Sequence, residues 1–249
     1  TPATTYELNV KTGERRQLKQ QPVPGYDASK YATERVWVPA RDGKTRIPVS
    51  LVYRKDFKRD GTAALLQYGY GSYGMSMDPN FSTSVVSLLD RGMVYALAHI
   101  RGGQEMGRAW YDDGKLLHKQ NTFNDFVDIT RGLVAQGYAA KDRVAASGGS
   151  AGGLLMGAVA NIAPELFAGI LAAVPFVDPL TSILMPKLPL TVIEWDEWGD
   201  PLHDPEVYEY MKSYSPYENV TAQPYPSILA ETSLNDTRVM YTEAAKWVA

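Results

Sequence analysis

The chain contains no cysteine and only three histidines, His99, His118 and His203, among its 249 residues. The missing cysteine excludes a disulfide framework, a thiolate metal site and a thiol nucleophile. It also fits a reducing compartment, so a cytoplasmic location is expected. The histidine spacings do not suggest a zinc site, and neither a metal nor a cofactor is expected. No apolar run approaches the roughly 18–20 residues that cross a bilayer, and Thr1 to Lys11 lack the charged and apolar regions of a secretion signal. No membrane partner follows. The net charge of −3 comes with no basic stripe and no acidic block, so nucleic acid is not an expected partner either. With 45% apolar and 21% charged residues, the composition is that of one large globular domain with a substantial core.

What is present reads as two unequal parts. Thr1 to Gln20 reads as a hairpin: Tyr6 to Val10 alternates, Lys11-Thr12-Gly13-Glu14 supplies the turn, and Arg15 to Gln20 returns. A lone hairpin is marginal in water, which suggests membership of a larger sheet outside the chain. Gln21 to Gly25 reads as a linker. Strand candidates then flank the Asp42-Gly43 turn, Thr33 to Pro39 and Ile47 to Tyr53. Beyond them, apolar runs alternate with helical patterns: Ala63 to Gln67, Val94 to Ala98, Val144 to Ala146, Ile170 to Val174 and Ser227 to Ala230. Such runs suit a mostly parallel, doubly wound α/β sheet covered on both faces. Helices are expected over Ser82 to Arg91 and over Phe123 to Ala135. Thr122 with Asp125 reads as a capping box for the second, and Gly137 as its stop.

The stretch from Arg143 to Leu154 carries the chemistry. Gly148-Gly149-Ser150-Ala151-Gly152 is a Gly-x-Ser-x-Gly element directly after a strand-like run and directly before a helix-compatible one, the setting of a nucleophile elbow. The bend is sharp, so the neighbours of the serine must be small for the backbones to pass. The hydroxyl then stands at a helix N-terminus, where amides and dipole favour developing negative charge. A Walker-type phosphate loop would need Lys followed by Ser or Thr, and this stretch has neither in that place. Ser150 is the candidate nucleophile and the Ala151 amide a candidate oxyanion donor. A second donor should come from a loop after an earlier strand. Leu65 to Gly74 is such a loop, with glycines that allow close approach and with Tyr68, Tyr70 and Tyr73, which read equally as donors or as half-buried aromatics.

Four motifs occur in one order: Tyr68-Gly69-Tyr70-Gly71, His99 to Gly107 (HIRGGQEMG), Gly148 to Gly153 (GGSAGG), and Glu194 to Gly199 (EWDEWG). Together they resemble the prolyl oligopeptidase family of serine peptidases, α/β-hydrolases, and within it the basic-residue-specific oligopeptidase B branch. The resemblance implies that Ser150 is the nucleophile, that Tyr70 and the Ala151 amide donate to the oxyanion, and that Asp236 is the triad aspartate. Ser233 and Asn235 depart from the Gly-Leu-His-Asp more usual at that loop. Glu194 stands where the proline-specific branch carries a tryptophan, which implies trypsin-like cleavage after Arg or Lys, since a partly desolvated carboxylate pairs with either side chain. Asp196 would support that pocket or the next, Asp78 would meet a second basic residue, and Tyr73 would form a pocket wall. Taken by themselves, Glu194 and Asp196 also read as a solvated acidic loop, and Asp78 before Pro79 as a turn former.

The resemblance divides the chain into residues 1–25, a remnant of the last β-propeller blade with its linker, and residues 26–249, a catalytic domain that ends before its histidine. The triad order in this fold is Ser, Asp, His, yet all three histidines precede Asp236. The expected activity is hydrolysis of short basic peptides by the parent enzyme, with this chain alone nearly inert. Its partners would be those peptides and the propeller. The alternatives are another α/β-hydrolase, either an esterase or an acylpeptidase, and a non-catalytic binding protein of the same fold.

Overall fold

The computed structural model describes residues 1–249. Asn9 closes the N-terminal hairpin. Its carbonyl accepts from Gly13 N at 2.8 Å, its side chain accepts from Lys11 N at 3.0 Å, and Gly13 adopts φ +73°. The turn joins β1 (Thr4–Leu8) to β2 (Arg15–Gln20) as an antiparallel pair, separate from the main sheet. Every residue of β2 is exposed, and Tyr6, Leu8 and Leu18 are more than half exposed.

The main sheet has seven strands: β3 (Tyr31–Pro39), β4 (Arg46–Arg54), β5 (Leu65–Tyr68), β6 (Val94–Ala98), β7 (Val144–Gly149), β8 (Gly169–Ala173) and β9 (Ser227–Glu231). Their spatial order is β3-β4-β6-β5-β7-β8-β9; β3 and β6 pair antiparallel to β4, and β6 through β9 run parallel. From β5 the chain crosses to β6 on one side, then returns past β5 to β7 on the other. The loops leaving the carboxyl ends of β5 and β7 therefore diverge and open a crevice, the place where open α/β sheets bind ligands. Tyr68 pairs with Ser147 across this switch.

Two helices bury half or more of their residues against the sheet. From α3 (Gln120–Ala135), Phe123, Phe126, Val127, Ile129 and Leu133 are buried at helical spacing, each side chain worth roughly 1.5–3 kcal/mol of burial. All residues from Ala151 to Ala160 of α4 (Ala151–Ile162) are buried, as a helix at the centre of the domain requires. Ser82 caps α1 (Thr83–Leu89) through Val85 N, and Gly137 (φ +80°) stops α3 as expected. The capping box does not form. The helix begins at Gln120, a turn earlier, because Thr122 and Asp125 are used inside the fold: Thr122 Oγ1 donates to Arg101 O at 2.8 Å, and Asp125 pairs with the Arg101 guanidinium at 2.6 Å. The remaining helices are α2 (Arg108–Asp112), α5 (Pro179–Ile183), α6 (Thr191–Trp198), α7 (Pro205–Tyr214) and α8 (Tyr241–Val248). None is long and apolar enough to cross a membrane.

Candidate active site

Ser150 lies between β7 and α4 with φ +58° and ψ −118°, a conformation that L-residues avoid and hold only where surrounding contacts impose it. Those contacts are backbone ones. Ser150 N donates to Ala173 O at 2.9 Å, and Ser150 O accepts from Gly153 N at 2.8 Å and Phe176 N at 3.2 Å. A Cβ on Gly148 would meet Gly152 O at 2.4 Å, one on Gly152 would meet Gly69 O at 2.8 Å, and one on Gly153 would meet Pro175 Cα at 2.4 Å. The small residues around the serine are thus a steric requirement. Its hydroxyl makes no capping bond to α4, and the Ala151 amide, first in the helix, has no intrahelical acceptor.

Tyr70 reaches the same place from the β5 loop. Burial raises its phenol above the ordinary tyrosine range, while a hydrogen-bonding interaction with the Ser150 side chain pulls it the other way. The ring of Tyr73 follows at 6.4 Å, and its hydroxyl donates to Glu194 Oε1 at 3.0 Å. Glu194 lies on α6, so the stretch that also read as a solvated loop is a helix. Burial raises the Glu194 carboxyl above the usual carboxylate range, hydrogen bonds from Tyr73 and Trp198 oppose that, and Arg238 acts on it only through its charge. Phe176, Thr237 and Met240 share a small pocket with Glu194. Ser150, Tyr70, Tyr73 and Glu194 therefore form one continuous surface. Two larger clefts, around Thr83 and around Phe57, contain none of these residues; the backbone strain at Ser150 distinguishes this surface, and cleft size does not.

Asp236 follows β9, two strands along from β7. It is half-buried in a turn where its Oδ1 accepts from Arg238 N at 2.8 Å and Val239 N at 3.0 Å. Asp196 is exposed, and Asp78 is exposed on the segment after Tyr73; no side-chain hydrogen bond ties either to Glu194. Two of the three histidines are engaged elsewhere. His99 is buried with Nε2 at 2.8 Å from Ser50 Oγ, His203 is exposed and pairs with Asp200 at 2.7 Å, and His118 is exposed in a short 3₁₀ turn.

Sequence reasoning missed the supports behind this surface. Glu197 and Lys119 are buried beneath the Tyr70–Tyr73 loop. Arg101, from the HIRGGQEMG motif, spans Asp125 and Asp42, while a Cβ on the adjacent Gly102 would meet Gly71 O at 2.1 Å. The motif thus buttresses the loop from behind. The i, i+3 spacing of Glu194 and Glu197 was the available signal, and it becomes readable only once the segment is known to be helical.

A strained serine at a strand-to-helix bend, in the crevice of a mostly parallel sheet, defines an α/β-hydrolase domain. Residues 79–249 match the prolyl oligopeptidase family, and the chain belongs to that family. It is 70% identical over its whole length to dipeptidyl aminopeptidase BI of Pseudoxanthomonas mexicana and 51% identical to Protease 2 of Moraxella lacunata. It spans about a third of these relatives, 34% and 36% of their lengths. Oligopeptidase B from Leishmania major superposes with a TM-score of 0.95 at 48% identity, covering 100% of this chain and 34% of that one. Oligopeptidase B from Trypanosoma brucei, with antipain covalently bound, gives 0.95 at 44% identity, covering 99% of this chain and 35% of that one.

Proposed function

We propose that the protein carrying this chain is a serine oligopeptidase that cleaves short peptides after Arg or Lys. Ser150 attacks the scissile carbonyl, a histidine from outside these residues takes its proton, and Asp236 orients that histidine. Tyr70 and the Ala151 amide receive the charge that develops on the oxyanion. One observation carries the specificity: Glu194, a burial-raised carboxylate, is hydrogen-bonded to Tyr73 in the loop that also presents Tyr70 to Ser150. Asp196 and Asp78 would act on substrate residues farther from the scissile bond. Residues 1–25 belong, on this reading, to the neighbouring propeller and its linker.

The test is a substrate panel on the complete protein: a fluorogenic peptide ending in Arg, its neutral counterpart, and a short acyl ester. Preference for the Arg peptide supports the reading, and preference for the ester or the neutral peptide overturns it. The 70% identity to a protein named as a dipeptidyl aminopeptidase favours a second reading, removal of dipeptides from free amino termini. Blocking the amino terminus of the Arg peptide separates the two, because an endopeptidase tolerates the block and an aminopeptidase does not.

A further inference from the structure

Tyr73 is gripped at both ends by α6. Glu197 Oε1 accepts its backbone N–H at 2.9 Å, while at the far end its hydroxyl donates to Glu194 at 3.0 Å and accepts from Trp198 Nε1 at 3.2 Å. The grip holds a non-glycine residue at φ +59°, a conformation that persists only when its surroundings impose it. Glu197 is 2% exposed, and its other oxygen accepts from the Tyr111 hydroxyl at 2.6 Å. The preceding residues are held from the opposite side. Lys119, 1% exposed, donates to Gly71 O at 2.6 Å, Ser72 Oγ at 2.8 Å and Gly114 O at 3.2 Å. Residues 71, 72 and 73, immediately after Tyr70, are thus fastened by two buried groups of opposite charge.

A buried charge is tolerated when it is hydrogen-bonded and balanced. Both conditions hold here: three acceptors surround the ammonium, each carboxylate oxygen has a donor, and the opposite charges balance. Well-packed apolar residues often fill such space with equal or greater stability, so filling space does not account for the pair. What it adds is direction at two fixed points of the backbone beside Tyr70.

We infer that Glu197, backed by Lys119, is a positioning residue that sets Tyr70 against Ser150 and Tyr73 against Glu194 in one frame. The inference rests on the oligopeptidase reading. The oxyanion donor and the acceptor for the basic side chain are then placed by the same helix.

The test uses the complete protein and an Arg peptide. Glu197→Ala should lower kcat by about 10²-fold, the cost of displacing a catalytic group by about 1 Å, and should also raise KM for the Arg peptide. Glu197→Gln, which keeps an acceptor for Tyr73 N–H, should recover most of that loss. Should the alanine variant not fold, Glu197→Asp retains the charge without the reach and should show the same fall in kcat. Unchanged kcat in a folded Ala or Asp variant overturns the inference, as does a loss confined to KM or an equal loss in Gln and Ala. The unsubstituted protein is the control. If it neither hydrolyses the Arg peptide nor labels at Ser150 with a fluorophosphonate, the proposed function fails and this inference falls with it. If it does both and the variants match it, only the inference falls.

Discussion

The bend at Ser150 and the acidic face opposite it are built from different physical materials. The bend is steric: glycines at 148, 152 and 153 let backbones approach to distances that a single methyl group would forbid, and backbone hydrogen bonds fix the serine at positive φ. The acidic face is electrostatic. Glu194 and Glu197 from α6, with Lys119 from beside α3, hold the Tyr70–Tyr73 loop by side-chain hydrogen bonds across more than a hundred residues of sequence in the case of Glu197 and Tyr73. Close packing leaves little to adjust, so changes in the bend should abolish the geometry. Hydrogen bonds to charged groups are individually removable, so changes in the acidic face should retune it. On the proposed function, the first region would support the acyl-transfer chemistry, and the second would place both the oxyanion donor and the acceptor for the basic side chain.

The largest effect is expected where the two regions meet the substrate. In the complete protein, Glu194→Gln should cost about 3–5 kcal/mol in kcat/KM on Arg and Lys peptides, the price of leaving a buried charge without its partner, and little on neutral ones. Equal losses on both would make Glu194 a structural residue and blur the contrast. Tyr70→Phe should lower kcat by about 10²–10³-fold with KM nearly constant, as loss of one oxyanion donor does; an unchanged kcat removes Tyr70 from the mechanism. On the steric side, Gly148→Ala should destabilise by about 3 kcal/mol in urea unfolding, since its new Cβ meets a backbone oxygen that cannot swing aside. A fully stable variant would show that the bend can relax.

The smallest effect concerns a third carboxylate, which makes a control for the other two. Glu243 on α8 is buried, accepting from Ser182 Oγ at 2.6 Å and Asp178 N at 3.0 Å. Burial pushes its carboxyl up to about 7. Between its unfolded value near 4.5 and that folded value, the native state binds more protons than the unfolded one. This contribution to stability is therefore complete below pH 4.5 and lost as the pH rises through 7. Melting scans from pH 5 to 8 should show a decline on the order of 2 kcal/mol that is absent in Glu243→Gln. A decline that survives the substitution assigns it to other groups.

The same contrast explains what the sequence discloses. Steric requirements are written locally: the spacing Gly148-x-Ser150-x-Gly152, set after Val144 and before an apolar helix, is legible because only glycine satisfies it. The central strands were legible for a related reason, since Val94–Ala98 and Val144–Ala146 read as unbroken apolar runs and lie in strands with no exposed residue. Electrostatic supports are written non-locally. Nothing near Lys119 announces that its ammonium will meet Gly71 O, and Thr122 with Asp125 imitate a helix cap while serving Arg101. The family resemblance supplied Tyr70, Glu194 and Asp236, but their supports emerged only with the fold.

The central claim is that the hydroxyl of Ser150 is the reactive group of this domain. Labelling the complete protein with a fluorophosphonate and mapping the adduct by mass spectrometry tests it directly. One adduct, on the peptide containing Ser150 and absent in Ser150→Ala, is the predicted result. Stoichiometric labelling at another residue, or no labelling of a protein that still cleaves Arg peptides, would contradict it.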